Sequence, residues 1–272
     1  MLADDEGRLR FLRRRTGAGR RRLRRGVYLL PSLFTMGNLF CGYACVVYAM
    51  RGEYETAAPF IGFAFVLDML DGRIARLTGG ESEFGLQFDS LADVVSFGIA
   101  PAILSFAWGL APLGRLGWAA AFLFLACAAM RLARFNIQTT TAADKRHFVG
   151  LPSPAAGAVI ASTVYLWPDG LQEPRAAWPA LAMVLVPAFL MVSTIRFRSV
   201  KAIDVGWRRS YLALFLAAVV IALIASHPRL ALVIMSYTYV SFAFLMWGLT
   251  KATRRPAVDA ARLEEPHGRT ME

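Results

Sequence analysis

Long apolar segments separated by short polar breaks run through most of the chain. They recur at residues 33–50, 57–77, 90–111, 116–137, 152–168, 177–195, 211–226 and 229–249. Each segment is close in length to the roughly 20 residues that a helix needs to cross a bilayer. The pattern therefore predicts an all-α polytopic membrane protein with eight spans, and an even number of spans places both termini on the same side.

Composition agrees with this pattern. The chain of 272 residues is 57% hydrophobic and only 18% charged, whereas soluble domains average about 45–50% and about 25%. Its net charge of +11 would suit nucleic acid, but long apolar stretches separate the basic clusters, so they form no single basic face and we expect no nucleic-acid partner. Cys41, Cys45 and Cys127 lie in apolar segments and indicate neither a disulfide framework nor a zinc site.

The basic residues indicate how the spans are oriented. Lys and Arg concentrate in the cytoplasmic loops of membrane proteins. If the N-terminus is cytoplasmic, 26 of the 30 basic residues lie on that side, and the exceptions are Arg51, Arg115, Arg175 and Arg229. We therefore expect an integral protein of the cell (inner) membrane with both termini in the cytoplasm. Residues 1–26 form an arginine-rich arm that we expect to be disordered and to contact anionic lipid headgroups.

Four aspartates interrupt the second and third apolar segments. They are Asp68, Asp71, Asp89 and Asp93, whereas the other 15 acidic residues fall in loops or tails. An ionised side chain inside a bilayer costs about 2.5–3.5 kcal/mol on insertion scales, so such a cluster indicates a function. Residues three or four apart share a helix face, and a tight helical hairpin would bring the two pairs face to face near the cytoplasmic boundary.

Carboxylates that face one another in a low dielectric repel, so they must take up protons or bind cations. Ligation by oxygen alone suits Mg²⁺ or Mn²⁺, and the lack of a neighbouring His or Cys in the sequence argues against zinc. Two such ions held by shared carboxylates form a clamp for a phosphoryl group. Helix-end caps facing headgroup water are the alternative interpretation, but caps do not explain two pairs on adjacent helices.

Small residues and an arginine complete a motif around the aspartates. It reads D-x2-D-G-x2-A-R-x8-G-x3-D-x3-D and is spelled by Asp68, Asp71, Gly72, Ala75, Arg76, Gly85, Asp89 and Asp93. Every fixed position matches, and the motif resembles the signature of the CDP-alcohol phosphatidyltransferases. Arg76 offers a fork for phosphate, or alternatively anchors a cytoplasmic helix end.

The resemblance implies a six-helix core in residues 27–200. The apolar pattern, and not the resemblance, predicts two additional transmembrane helices in 201–250, followed by a cytoplasmic tail in 251–272. It implies two divalent cations, Mg²⁺ or Mn²⁺, and attack of an acceptor hydroxyl on the β-phosphorus of a CDP-activated lipid, with release of CMP. The implied cation ligands are Asp68, Asp71, Asp89 and Asp93, and Asp93 is also the implied general base. The residues implied to line the CDP-lipid site are Gly72, Ala75, Arg76 and Gly85.

Flanking segments narrow the resemblance to the bacterial phosphatidylserine synthases within that family. These segments are residues 30–42, 96–101, 131–136, 148–156 and 191–199. The resemblance implies CDP-diacylglycerol as donor, L-serine as acceptor and a homodimer. The same chemistry with glycerol 3-phosphate or an inositol phosphate as acceptor remains open, as does a non-enzymatic cation transporter that uses the carboxylates as its ion site.

A second polar cluster is a candidate for binding the acceptor. Arg131 and Arg134 lie three apart on one predicted helix face and would clamp a carboxylate, with Asn136 as a neighbouring polar contact. The alternative is that both arginines anchor a cytoplasmic helix end. Ser32 and Thr35, at the start of the first segment, would contact the nucleotide or phosphate of the CDP-lipid, or cap the helix.

Overall fold

The computed structural model describes residues 32–78, 82–140, 148–193 and 196–197, and then residues 215–216, 218–219, 222 and 225–242. The expected basic arm at 1–26 and the expected tail at 251–272 lie outside these residues. The described chain is helical apart from one antiparallel ladder of two-residue strands, β1 (Phe148–Val149) and β2 (Arg196–Phe197). The prediction of an all-α protein is confirmed at this level.

The described residues up to Val192 contain seven α-helices. They are α1 (Ser32–Met50), α2 (Tyr54–Thr78), α3 (Glu83–Asp93), α4 (Ala100–Ser105), α5 (Arg115–Thr140), α6 (Ser153–Leu166) and α7 (Pro174–Val192). Residues 228–242 form a further helix, α8. A π-helical segment, Val94–Ile99, joins α3 to α4. A second π-helical segment, Phe106–Leu110, and a short 3₁₀ turn, Ala111–Leu113, follow α4 and complete one continuous helix over Glu83–Leu113.

Four helices of the described chain are long and apolar enough to cross a membrane. They are Ser32–Met50, Glu83–Leu113, Arg115–Ile137 and Pro174–Val192. The shorter α6 is equally apolar, and α2 carries the charged residues of the aspartate motif. Large apolar side chains such as Phe40, Phe122 and Phe189 are exposed on the outer surface. An exposed apolar surface around apolar helices is typical of an integral membrane protein.

The third helix begins earlier than its apolar segment suggests. It begins at Glu83 rather than at residue 90, because Ser82 caps it by accepting a hydrogen bond from the N–H of Gly85 at 3.0 Å. A serine cap and an acidic first turn both stabilise a helix N-terminus. Gly85 therefore lies in the first turn of α3 and not in the preceding loop, and Asp89 lies one turn further into the helix.

A π-helical segment, Val94–Ile99, follows directly after Asp93 and ends just before Pro101. Proline has no N–H, and its ring clashes with the carbonyl four residues earlier in a regular helix. The wider π-helical turn relieves this clash. The helix therefore continues past the proline, and the residues after Asp93 are turned relative to a regular α-helix.

The two ends of the bundle differ in chemistry. At the end away from the aspartates, Tyr54 donates its hydroxyl hydrogen to the carbonyl of Ala107 at 2.7 Å, and the N–H of Leu171 donates to the carbonyl of Trp108 at 2.7 Å. We call this the far end. The helix termini next to these contacts place Arg51, Arg115 and Arg175 there, and Arg229 forms an ion pair with Glu55.

The core between the two ends is made of small and aromatic residues. Phe97, Phe124 and Ile160 are fully buried, together with many alanines of α2, α5 and α6. Small side chains let helix backbones approach closely, which is the usual way in which membrane helices pack. The C-terminal helix α8 joins this bundle through α6, where the hydroxyls of Ser162 and Ser236 lie 2.8 Å apart.

Candidate functional site: an aspartate cluster between the first three helices

Three carboxylates converge where α2 ends and α3 begins. Asp68 and Asp71 lie one turn apart on α2, and Asp89 faces them from α3. Each offers an oxygen, and these three oxygens lie within 4.8 Å of one another. Only four residues separate the end of α2 from the start of α3 in the sequence, so side chains on facing surfaces of the two helices can meet. The predicted face-to-face arrangement is therefore present for these three residues.

The cluster has the donor set of a hard divalent cation. Asp71 is only 4% exposed, and Oδ1 of Asp89 is buried with no hydrogen-bond partner among the described residues. A buried carboxylate oxygen without a partner is costly, and a bound cation would satisfy it. No His or Cys belongs to this three-residue cluster. The residues present therefore fit an ion such as Mg²⁺ or Mn²⁺ and do not favour zinc.

Asp93 lies one turn beyond Asp89 and is not part of the three-carboxylate cluster. It is 9% exposed, and its Oδ1 accepts a hydrogen bond from Nδ2 of Asn38 at 3.2 Å. Its charge still interacts with those of Asp68, Asp71 and Asp89. Asp93 thus borders the cluster and has a different environment from its three neighbours.

Helix α1 supplies a hydrogen-bond donor to each of the two aspartate-bearing helices. Thr35, predicted to contact the CDP-lipid, donates its hydroxyl hydrogen to Oδ2 of Asp71 at 3.0 Å. Asn38, one turn later, donates from its side chain to Asp93. Its backbone carbonyl oxygen accepts a hydrogen bond from the hydroxyl of Ser96 at 2.9 Å. Neither Asn38 nor Ser96 was predicted from the sequence as a site residue. Thr35 and Asn38 are polar residues three apart in a largely apolar first helix, and this spacing indicates that they share one helix face.

The residues predicted to line a CDP-lipid site lie beside the cluster. Gly72 faces open space, since a β-carbon added there would meet no atom within 4 Å. Arg76, one turn further along α2, is exposed and has no hydrogen-bond or ion-pair partner among the described residues. Ala75 is half-buried between them, and Ser32 lies in the first described turn of α1. An open glycine surface followed by an unpaired arginine suits an anionic ligand.

Arg131 of α5 lies close enough to the aspartates to interact with them electrostatically. Its guanidinium donates to the hydroxyl of Ser153, at the start of α6, at 3.0 Å, and its charge interacts with those of Asp68 and Asp93. Its guanidinium carbon also lies 5.7 Å from the ring centre of Phe135. Ser153, which was not predicted as a site residue, therefore helps to orient Arg131.

The other two predicted acceptor residues occupy different positions. Asn136 donates to the hydroxyl of Ser90 at 2.9 Å, next to Asp89 on α3. Arg134 is half-buried and has no hydrogen-bond or ion-pair partner within the described ranges. Defined hydrogen bonds therefore hold Arg131 at Ser153 and Asn136 at Ser90, and the described residues provide no such partner for Arg134.

Comparison with known sequences agrees with this geometry. The sequence model described as CDP-alcohol phosphatidyltransferase matches residues 28–195. This range begins just before α1 and ends just after α7, so it contains every helix that contributes to the cluster.

Individual relatives share most of the chain. A CDP-diacylglycerol–serine O-phosphatidyltransferase from Helicobacter pylori is 36% identical over 227 residues, which cover 81% of this chain and 92% of the relative. The protein of the same name from Mycobacterium leprae is 35% identical over 232 residues, covering 81% and 75%. An archaetidylserine synthase from Methanothermobacter thermautotrophicus is 36% identical over 170 residues, covering 62% and 69%.

Proposed function

The chain belongs to the CDP-alcohol phosphatidyltransferase family, and we propose that it transfers the phosphatidyl group of CDP-diacylglycerol to the hydroxyl of L-serine. The products are phosphatidylserine and CMP. Relatives named as serine phosphatidyltransferases, at 35–36% identity over 81% of the chain, support serine as the acceptor. The structural observation that carries the proposal is the convergence of three motif carboxylates beside an arginine that is held in place by Ser153.

The reaction requires an activated hydroxyl and a leaving nucleotide. The serine hydroxyl oxygen forms a bond to the β-phosphorus, the bond from that phosphorus to the bridging oxygen breaks, and CMP leaves with that oxygen. We assign Asp93 as the general base that takes the hydroxyl proton. Its distinct environment supports this role, since Asn38 occupies Oδ1 and leaves Oδ2 to accept the proton.

The aspartates bind the cations that neutralise the negative charge of the substrate pyrophosphate. Asp68, Asp71 and Asp89 are positioned to hold divalent cations, and in this proposal Asp93 is a further ligand. We propose two ions, Mg²⁺ or Mn²⁺, which when bound neutralise the pyrophosphate and stabilise the charge on its oxygens. Thr35 fixes the orientation of Asp71 through its hydrogen bond, so that this carboxylate needs little rearrangement when an ion binds.

The CDP-lipid lies, in this proposal, against Gly72, Ala75, Arg76 and Gly85, with Ser32 and Thr35 at the start of α1. The open surface at Gly72 lets the pyrophosphate approach the α2 backbone beside Asp71. The unpaired Arg76 binds phosphate by two parallel hydrogen bonds. The acyl chains then lie along the exposed apolar faces of the helices, in the membrane.

The acceptor approaches from α5. Arg131 binds the serine carboxylate in this proposal, and its hydrogen bond to Ser153 restricts the orientation of the guanidinium. Arg134, which is unpaired, supplies a second cation on the same helix face, and Asn136 keeps α5 close to α3 through Ser90. A zwitterionic acceptor suits this balance of nearby carboxylates and one or two arginines better than a phosphorylated acceptor does.

We propose that the protein lies in the cell (inner) membrane. The end of the bundle that carries the aspartate cluster faces the cytoplasm. The far end holds the four basic residues that the positive-inside rule assigns to the other side, which supports this orientation. We also propose eight spans in all, with a six-helix core at 27–200, two additional helices at 201–250, both termini cytoplasmic and a homodimeric assembly.

The test is identification of the lipid product. Purified protein is incubated with CDP-diacylglycerol, Mn²⁺ and, separately, L-serine, glycerol 3-phosphate, inositol phosphate or inositol. Phosphatidylserine formation with stoichiometric CMP is the expected result. If only another acceptor gave a lipid product, serine would be excluded as the acceptor, but the proposed transfer mechanism would stand. Absence of CMP release with every acceptor, together with cation uptake into vesicles, would instead favour an ion transporter.

A further inference from the structure

We propose that Asn38 is a positioning residue for Asp93 in the transfer reaction. This inference rests on the proposed function, because it assumes that Asp93 takes the proton of the acceptor hydroxyl. Asn38 lies on α1, outside the aspartate motif, and its contact with Asp93 joins residues 55 positions apart in sequence. It acts through Asp93 and does not contact the reacting atoms itself.

The burial of Asn38 shows why an amide is needed there. The side chain is 0% exposed, its Nδ2 donates to Asp93, and its Oδ1 has no partner among the described residues. A buried carbonyl oxygen without a partner destabilises the fold. An apolar side chain of similar volume would avoid that cost. The hydrogen bond to Asp93 is therefore the feature that accounts for an asparagine at this position.

The position of Asn38 is itself fixed by the packing of α1. Its backbone carbonyl accepts from Ser96, three residues after Asp93, so the two contacts join the same segments of chain. Gly42, one turn after Asn38, allows this approach, since a β-carbon there would lie 2.8 Å from the Cα of Ser96. Asn38 is thus held against the start of the π-helical segment.

The consequence for chemistry is orientation of one carboxylate. With Oδ1 bound to Nδ2 of Asn38, rotation of the Asp93 carboxylate is restricted, and Oδ2 is presented to the acceptor. Orientation of a general base affects the rate of the chemical step more than the binding of substrates. Asp68, Asp71 and Asp89 do not depend on Asn38, so cation binding by these three residues is expected to persist without it.

The experiment compares Asn38→Leu and Asn38→Ser with the wild-type protein. Steady-state kinetics with CDP-diacylglycerol and serine, Mn²⁺ binding by electron paramagnetic resonance and thermal unfolding are measured for each. We expect kcat to fall about 10- to 100-fold in Asn38→Leu, the effect of losing one hydrogen bond to a charged group. KM for both substrates and the Mn²⁺ affinity are expected to stay within about threefold of wild type. Asn38→Ser keeps a small polar group at this position. If the leucine variant does not fold, the same kinetic, Mn²⁺-binding and unfolding measurements are compared between Asn38→Ser and wild type.

A double-mutant cycle separates positioning from a general structural role. In the Asp93→Asn background, Asn38→Leu is expected to leave the residual single-turnover rate unchanged, because the group through which it acts is already altered. A further 10-fold or greater loss there, or parallel losses of Mn²⁺ affinity and thermal stability, would overturn the proposal. If the wild-type protein uses an acceptor other than serine, the proposed acceptor is wrong, and the same comparison is made with the acceptor that is used.

Discussion

Gly42 of α1 lies directly against Ser96 of the π-helical segment, and a β-carbon at Gly42 would stand 2.5 Å from Oγ of Ser96 and 2.8 Å from its Cα. Real β-carbons do not come this close to backbone atoms. Only glycine therefore allows the two helices to meet here. The same contact brings Asn38 and Thr35, one and two turns earlier on α1, to the aspartates.

The first prediction concerns this contact. We expect Gly42→Ala to separate α1 from the π-helical segment, lowering stability by about 1–3 kcal/mol, as overpacking of a tight core does. Activity falls with it, because Asn38 and Thr35 move away from Asp93 and Asp71. Thermal unfolding and CMP release measure both effects. Gly62→Ala on α2, where an added β-carbon meets no atom within 4 Å, is the control. Equal stability of the two variants would contradict the prediction.

The second prediction concerns Asp93. Asp93→Asn is expected to lower kcat about 10²- to 10⁴-fold, the usual contribution of a general base. Binding of CDP-diacylglycerol is expected to persist, because the residues proposed to line its site are unchanged. Product formation and nucleotide-lipid binding are measured on the same preparation. Asp169→Asn, an exposed residue of the loop after α6, serves as the control. Near-normal turnover of Asp93→Asn would exclude Asp93 as the base.

The third prediction concerns cations. Removal of divalent ions by a chelator is expected to abolish CMP release, and Mn²⁺ or Mg²⁺ to restore it. Asp89→Asn is expected to weaken Mn²⁺ binding at least about tenfold, since fewer charged ligands lower the affinity of an oxygen site. The matched variant Glu83→Gln changes an exposed carboxylate on the same helix and leaves the affinity unchanged. Unaltered Mn²⁺ binding in Asp89→Asn would count against the cluster as the cation site.

The fourth prediction concerns the open surface at Gly72. Gly72→Ala meets no protein atom and increases helix propensity, so we expect stability to be equal or higher by up to about 1 kcal/mol. KM for CDP-diacylglycerol is nevertheless expected to rise, because the new methyl group enters the space proposed for the pyrophosphate. Gly62→Ala, also open and on the same helix, leaves KM unchanged. An unchanged KM in both variants would place the nucleotide elsewhere.

The fifth prediction concerns acceptor binding. Arg131→Lys is expected to raise KM for serine about 10- to 100-fold, because the ammonium cannot bind Ser153 and a carboxylate in one plane. KM for CDP-diacylglycerol stays close to wild type. Arg134→Lys is expected to have a smaller effect, since Arg134 is not held by a partner among the described residues. Equal changes in KM for both substrates would indicate a structural role for Arg131 instead.

Several features of the site follow from local sequence and were predictable. Spacings of three and four residues place Asp68 with Asp71, and Asp89 with Asp93, on single helix faces whatever the rest of the fold does. The start of α3 was misjudged by seven residues, because hydropathy marks where a helix becomes apolar, whereas the cap at Ser82 marks where it begins. Gly85 therefore lies in the first turn of the helix, ahead of the apolar segment.

The sequence by itself determined the membrane class, the family and the identity of the four aspartates, since hydropathy and motif spacing are properties of neighbouring residues. Only the tertiary structure decided that the cluster contains three of the four aspartates, Asp68, Asp71 and Asp89, while Asp93 is bound by Asn38. That division depends on where α1 crosses α2 and α3. The crossing is set by close packing at Gly42 and by the π-helical turn after Asp93, which place residues 55 positions apart within hydrogen-bonding distance.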